Sequence, residues 1–172
     1  MNEMPSGTLS SEADAEHVDF IWNSIKRIGN CMLIAGDGAH LRGRPMRALP
    51  SRDENLIHFI TAKSSHKLEE FVRDPSACLC FTEGAHTFVS TSGTIVHRDD
   101  RAKIRELWSE GDDAYFPHGP SDPNAVLLVY APETGEYWDA PSNPVLIAIE
   151  FTKAQVTGQQ PSLRDNAKVT LS

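Results

Sequence analysis

The apolar residues of this chain come in runs too short for anything but strands and single helix faces. The longest, AVLLVYA at 125–131 and VLIAI at 145–149, span seven and five residues, far below the ~18 consecutive apolar residues of a membrane helix. Bounded by Gly, Pro, Asp and Asn, such runs read as buried or half-buried strands. CMLIAG (31–36), a turn at Asp37-Gly38 and RGRPMRAL (42–49) predict a hairpin, because Asp-Gly tolerates the positive φ of a tight turn. NLIHFITA (55–62) is a further strand. SACLCFTE (76–83) and TFVSTSGTIVH (87–97) form a second pair joined near Gly84, and AVLLVYA, GEYWDA (135–140) and PVLIAIEF (144–151) complete the set.

Three segments change period from two to between three and four. Val18, Ile21, Trp22, Ile25 and Ile28 make one apolar stripe of a helix that starts at Ser10 or Ser11 and stops at Gly29. SHKLEEFVRD (65–74) fits a second helix, capped by Ser64 and stopped by Pro75. DDRAKIRELWSE (99–110) fits a third, with Ile104, Leu107 and Trp108 on its apolar face; GDDAYFPHGPSDPN (111–124) reads as loop. Hairpins dominate and regular strand–helix alternation is missing. The expected fold is therefore α+β: a closed or nearly closed β-barrel, mostly antiparallel with six or more strands, carrying peripheral helices. Residues 1–10 read as a flexible tail, 11–157 as the domain and 158–172 as a C-terminal tail without periodicity. At 172 residues one domain buries roughly 70% of its unfolded surface, so no disulfide or structural metal is needed.

Charge and side-chain chemistry narrow the partners. Sixteen Lys and Arg against 24 Asp and Glu give −8, a poor match to a phosphate backbone, and no nucleic-acid partner is expected. No membrane is expected either, and without a basic, apolar leader the location reads as cytoplasmic. The three cysteines include no CxxC; Cys78 and Cys80 share one strand face and read as small buried hydrophobes. Seven scattered histidines show no metal-ligand spacing, and His58, set among apolar strand neighbours, reads as a satisfied core or interface residue. GxSxG, Walker A, GxGxxG and HExxH are all missing.

The segment ITAKSSHKLEE (60–70) carries more chemistry. A strand ends at Ile60-Thr61 and a helix opens at Ser65, so backbone N–H groups, the Ser65 hydroxyl, His66 and Lys67 gather where an anion is favoured. A plain reading, with Ser64 capping a surface helix and Lys67 solvated, stays open. GRPMRALP (43–50) adds Arg44 and Arg47; if that strand pairs with the one delivering Thr61, two guanidinium groups and Lys67 converge on one phosphate or ring system.

GRPMRAL, LIHFITAKSSHKLEEF, TFVSTSG and GEYWD, in this order, resemble the FMN-binding split barrel of the pyridoxamine 5′-phosphate oxidase-like family, and within it the general stress protein 26 branch. The resemblance spans about residues 15–157. It implies that Arg44, Pro45, Met46, Arg47 and Ala48 lie along the flavin and its ribityl chain, and that Ile60 and Thr61 edge the ring. It further implies that Ser65, His66 and Lys67 grip the phosphate, with His66 replacing an arginine. Trp138, before the last strand, is expected to approach the ring. FMN is the implied cofactor, held at the interface of a homodimer, with NADH or NADPH as reductant of a flavin-dependent oxidoreductase or flavin reductase. From the residues alone Trp138 reads equally as core or interface packing.

Departures from the family matter for activity. The Arg-led strand ends in Ala48-Leu49-Pro50, where the B6 oxidases carry a basic residue, and SLRDNAKVTLS stands where they carry Arg-x-His. Vitamin B6 oxidation is not expected, and no side chain is nominated as catalytic. Alternatives are a non-catalytic module that stores or senses flavin, or the same barrel holding deazaflavin or haem.

Overall fold

The computed structural model describes residues 8–36, 38–64, 67–140, 148–149, 151–153, 155, 158 and 165–171. Helix α1 (Thr8–Ile28) leads into strand β1 (Asn30–Gly36), then β2 (Leu41–Arg47), β3 (Leu49–Ser51) and β4 (Leu56–Ala62). Helix α2 (Lys67–Arg73) precedes β5 (Ser76–Glu83) and β6 (Thr87–Arg98). Helices α3 (Arg101–Leu107) and α4 (Glu110–Asp113) and a 3-10 turn (Gly119–Ser121) connect to the long β7 (Ala125–Asp139), and β8 (Asp165–Thr170) comes last.

The strands form one antiparallel sheet in the order β2-β1-β5-β6-β7-β4-β3, with β8 on β7. The two ends of that path, β2 and β3, are separated in the chain by Ala48 alone. The sheet therefore curls until its ends meet at one buried residue, whose N–H donates to Gly29 O at 2.8 Å. This is the expected α+β split barrel with peripheral helices. Alternation fills the interior: Leu33, Ile57, Phe59, Leu79, Phe81, Ile95, Leu128 and Tyr130 are fully buried. Ile21, Trp22 and Ile25 of α1 join the same core; each buried aliphatic side chain contributes roughly 2 kcal/mol. Gly29, at φ +71°, ends α1, its N–H donating to Ile25 O at 3.0 Å.

Gly93 makes the curl possible. The β6–β7 register shifts between Ser92 and Gly93, dividing β7 into a first half shared with β4 and a second half shared with β8. A Cβ on Gly93 would lie 2.1 Å from Ala131 O, so only glycine fits this crossing.

Several expectations need correcting. The first helix begins at Thr8, so residues 8–10 are helical rather than tail, and Ser10 and Ser11 lie inside the helix rather than at its cap. Residues 42–49 are not one strand but two, broken at Ala48. AVLLVYA and GEYWDA are one strand, β7, because Pro132 falls at the register shift, where a missing N–H is tolerated. PVLIAIEF was expected as a strand, yet residues 148, 149 and 151–153 are helical, and 144–147 lie outside the described residues. The tail expected over 158–172 includes β8, whose Val169 is buried together with Leu171 against the barrel. Leu171 N donates to Glu133 O at 2.8 Å, and His17 Nδ1 lies 2.8 Å from the Tyr137 hydroxyl, so α1, β7 and the chain end are tied together. Among the described residues no helix is long and apolar enough to cross a membrane.

Candidate functional site

A cavity of about 710 Å³ opens where β2, the end of β4 and the α4 segment meet, within the size range of small-molecule sites. β2 contributes Pro45, Met46 and Arg47, β4 contributes Ile60, Thr61 and Ala62, and Gly111, Asp112, Tyr115 and Phe116 form the facing wall; Asn30 closes one side. β2 and β4 are not hydrogen-bonded neighbours, contrary to the pairing considered from sequence. They meet because the curl brings both ends of the sheet path together at Ala48. Five of the eleven sequence-derived site residues thus share one cavity: Pro45, Met46, Arg47, Ile60 and Thr61.

The facing wall is built from polar contacts. Ser109 caps α4, its N–H and Oγ donating to Asp112 Oδ2 at 2.9 and 3.0 Å. Arg47 crosses from β2 to the same pair, donating from Nη1 to Ser109 Oγ at 2.7 Å and from Nη2 to Asp112 Oδ2 at 2.7 Å. Phe116 is buried against Trp108, with ring centroids 5.6 Å apart, whereas Tyr115 stands 80% exposed at the rim. The turn after β4 is anchored from another direction: Lys63 N donates to Asn124 O at 2.6 Å and Ser64 N to Asn124 Oδ1 at 3.1 Å. Asp122 supports that anchor through Asn124 N and His118 N. Ser109, Asp112, Asn124 and Asp122 were missed from sequence, where Ser109 fell at the end of the third expected helix and 111–124 read as loop; the Ser-x-x-Asp spacing of 109–112 was the available signal.

The remaining sequence-derived residues lie elsewhere. Arg44 points to the opposite side of β2 from its neighbours in sequence and donates to both oxygens of Glu70 in α2, at 2.7 and 2.5 Å. Both side chains are largely buried, and Arg44 Nη1 has no partner among the described residues. Arg44 and Arg47 therefore each hold a different carboxylate, and the strand pairing on which their convergence was conditioned does not occur. Ala48 is the buried corner residue. Lys67 is the first residue of α2; Ser65 and His66 lie outside the described residues. Trp138 sits within β7 opposite Phe88, not between two strands, and lines a separate cavity of about 340 Å³ with Cys80, Phe88 and Ser90.

His58 is buried, as expected of a core residue. It is 3% exposed, the Leu49 backbone lies opposite it across the β3–β4 ladder, and Nε2 lies 3.9 Å from Glu54. It borders a cavity of about 580 Å³ flanked by Arg98, Arg101 and Lys103. Burial holds its pKa below the ordinary histidine value, outweighing the nearby Glu54 carboxylate. The folded state therefore binds fewer protons at this site than the unfolded chain, and stability is lost as pH falls below about 6.5. The thermal midpoint of the wild type should fall more between pH 7.5 and pH 5.5 than that of His58→Leu; equal falls would dismiss the assignment. Among the cysteines, burial pushes the Cys31 thiol up to about 12, and Cys78 and Cys80 share one face with sulfurs 3.8 Å apart. All three are free.

The family model of pyridoxamine 5′-phosphate oxidase-like proteins matches residues 16–162. Among solved structures, one described as a candidate general stress protein 26 from Jannaschia sp. CCS1 is 28% identical, with a TM-score of 0.72, covering 91% of this chain and 99% of that one. The general stress FMN/FAD binding protein of Xanthomonas citri is 25% identical, with a TM-score of 0.68, covering 75% and 92% respectively. One described as a candidate general stress family protein, from Xanthomonas campestris pv. campestris, is likewise 25% identical, with a TM-score of 0.67 over 75% and 90%. Among curated proteins none matches. A curled antiparallel barrel closed at Ala48, a cavity at that closure and a family match across nearly the whole domain agree: this chain belongs to the pyridoxamine 5′-phosphate oxidase-like family.

Proposed function

We propose that the chain binds FMN in the cavity between β2, β4 and α4 and serves in the cytoplasm as a homodimeric flavin-dependent oxidoreductase of the general stress type, reduced by NADH or NADPH. The observation that carries this reading is the gathering of Pro45, Met46, Arg47, Ile60 and Thr61, from strands that do not pair, around one cavity of about 710 Å³. Its chemistry fits a flavin: Pro45, Met46, Ile60 and Phe116 offer apolar surface for a planar ring, and Arg47 and Thr61 offer polar groups at its margin. The Xanthomonas citri relative, described as binding FMN or FAD, supports the same class of ligand. When bound, the flavin would supply hydride or electron transfer, for which the chain provides position, electrostatics and exclusion of water.

Lys67 at the start of α2, with Ser65 and His66 before it, is the proposed phosphate end. Trp138, on a different face from the cavity, is assigned to the surface that a second copy brings against the flavin. Vitamin B6 oxidation is not part of the proposal. The test is titration of the purified protein with FMN, followed by flavin and tryptophan fluorescence and by the mass of the complex in solution. Saturation at about one flavin per chain in a dimer is expected, followed by NADH or NADPH oxidation faster than with free FMN. Absence of binding would overturn the cofactor assignment. Stoichiometric binding without turnover would replace the oxidoreductase by a flavin-storing or flavin-sensing module.

A further inference from the structure

Arg47 lines the cavity, yet it is not a free cation. Its Nη1 and Nη2 donate to Ser109 and Asp112, and Ser109 in turn donates twice to the same Asp112 oxygen, closing a ring of three side chains. Asp112 is the buried member; its side chain is 13% exposed against 41% for Arg47. The ring also links the β2 wall to the α4 wall of the cavity. It has two physical consequences. The guanidinium plane is fixed before any ligand arrives, and its positive charge is balanced by a carboxylate held 2.7 Å away.

We propose that Asp112 is a positioning residue of the cavity, holding Arg47 in one orientation and cancelling its charge so that the site does not favour the reduced, anionic form of a bound flavin. The proposal rests on the flavin reading above and adds to it a residue outside every motif that carries the family resemblance. At neutral pH, two-electron reduction adds negative charge to the isoalloxazine ring, so a cation with no carboxylate partner beside the cavity stabilises the reduced form selectively. Asp112 removes that selectivity, and Ser109 supplies geometry without charge.

The experiment compares wild type, Asp112→Asn, Ser109→Ala and Arg47→Gln. The midpoint potential of bound FMN is read during dithionite reduction against a reference dye, and hydrogen exchange of residues 109–116 is read in the flavin-free proteins. Asp112→Asn should tighten reduced relative to oxidised flavin about tenfold, a rise of ~30 mV for the two-electron couple. Arg47→Gln should lower the potential, and Ser109→Ala should leave it unchanged. All three should speed exchange in 109–116, since each opens the ring. A potential unmoved in Asp112→Asn, or moved equally by Ser109→Ala, overturns the proposal while the flavin assignment stands. Should Asp112→Asn not fold, an unchanged potential in Arg47→Gln overturns it as well. Failure of the wild type to bind FMN overturns the flavin reading and this inference together, whereas unchanged exchange in 109–116 overturns the inference alone.

Discussion

Gly93→Val is expected to be among the most damaging single substitutions in this chain. Its first side-chain carbon would lie 2.1 Å from Ala131 O and 2.9 Å from Pro132 Cα, both backbone atoms that cannot rotate away. The sheet must then open at the β6–β7 register shift, which sets the curl and so the meeting of β2 with β4 at the cavity. Overpacking of this kind costs about 3 kcal/mol, roughly 10 °C in thermal midpoint for a chain this size. Gly36→Ala is the control: its new carbon meets only the Asp74 carboxylate at 3.7 Å, an ordinary contact, and a change within about 0.5 kcal/mol is expected. Thermal and urea midpoints that leave Gly93→Val level with Gly36→Ala would show that the crossing is not rigid.

Arg44→Ala should follow closely in magnitude, for an electrostatic reason. Its guanidinium is the partner of Glu70, whose side chain is 8% exposed. Truncation leaves a nearly buried carboxylate unpaired, at about 3 kcal/mol. The double variant Arg44→Ala/Glu70→Ala removes both charges and should recover much of that loss. Because the pair joins β2 to α2, the helix that begins at Lys67, Arg44→Ala should also weaken FMN binding, and the double variant should restore stability without fully restoring affinity. An Arg44→Ala protein as stable as wild type would remove the structural role. Equal affinity in wild type, single and double variants would separate Arg44 from the proposed phosphate end.

The two predictions mark where sequence reading succeeds and where it stops. Strand content was legible because alternation is local: Leu33, Leu79 and Phe81 sit at the inward positions their spacing assigns, and Gly38 and Gly84 mark turns by their own backbone preferences. α1 was legible for the same reason, its stripe at Ile21, Trp22 and Ile25 packing on the barrel as written. PVLIAIEF misled because a short apolar run fits a strand or a helix equally well by periodicity, and its helical residues Ile149 and Phe151 stand exposed. The chain end misled because β8 gains its order from pairing with β7, from Asp139↔Asp165 to Thr134↔Thr170, a partner not visible in local pattern.

Site residues divide in the same way. The sequence singled out Pro45, Met46, Arg47, Ile60 and Thr61, and the cavity contains all five. It could not say that Arg44 and Arg47 would be drawn to Glu70 and Asp112, 26 and 65 positions away. Residue types and their local spacing determined an antiparallel barrel and a set of chemically suitable side chains, because propensity, alternation and turn chemistry act over a few neighbouring residues; the family came from motif resemblance. Only the tertiary structure decided which arginine faces the cavity and which carboxylate holds it, because charge pairing depends on distances that the chain sets by closing on itself at Ala48.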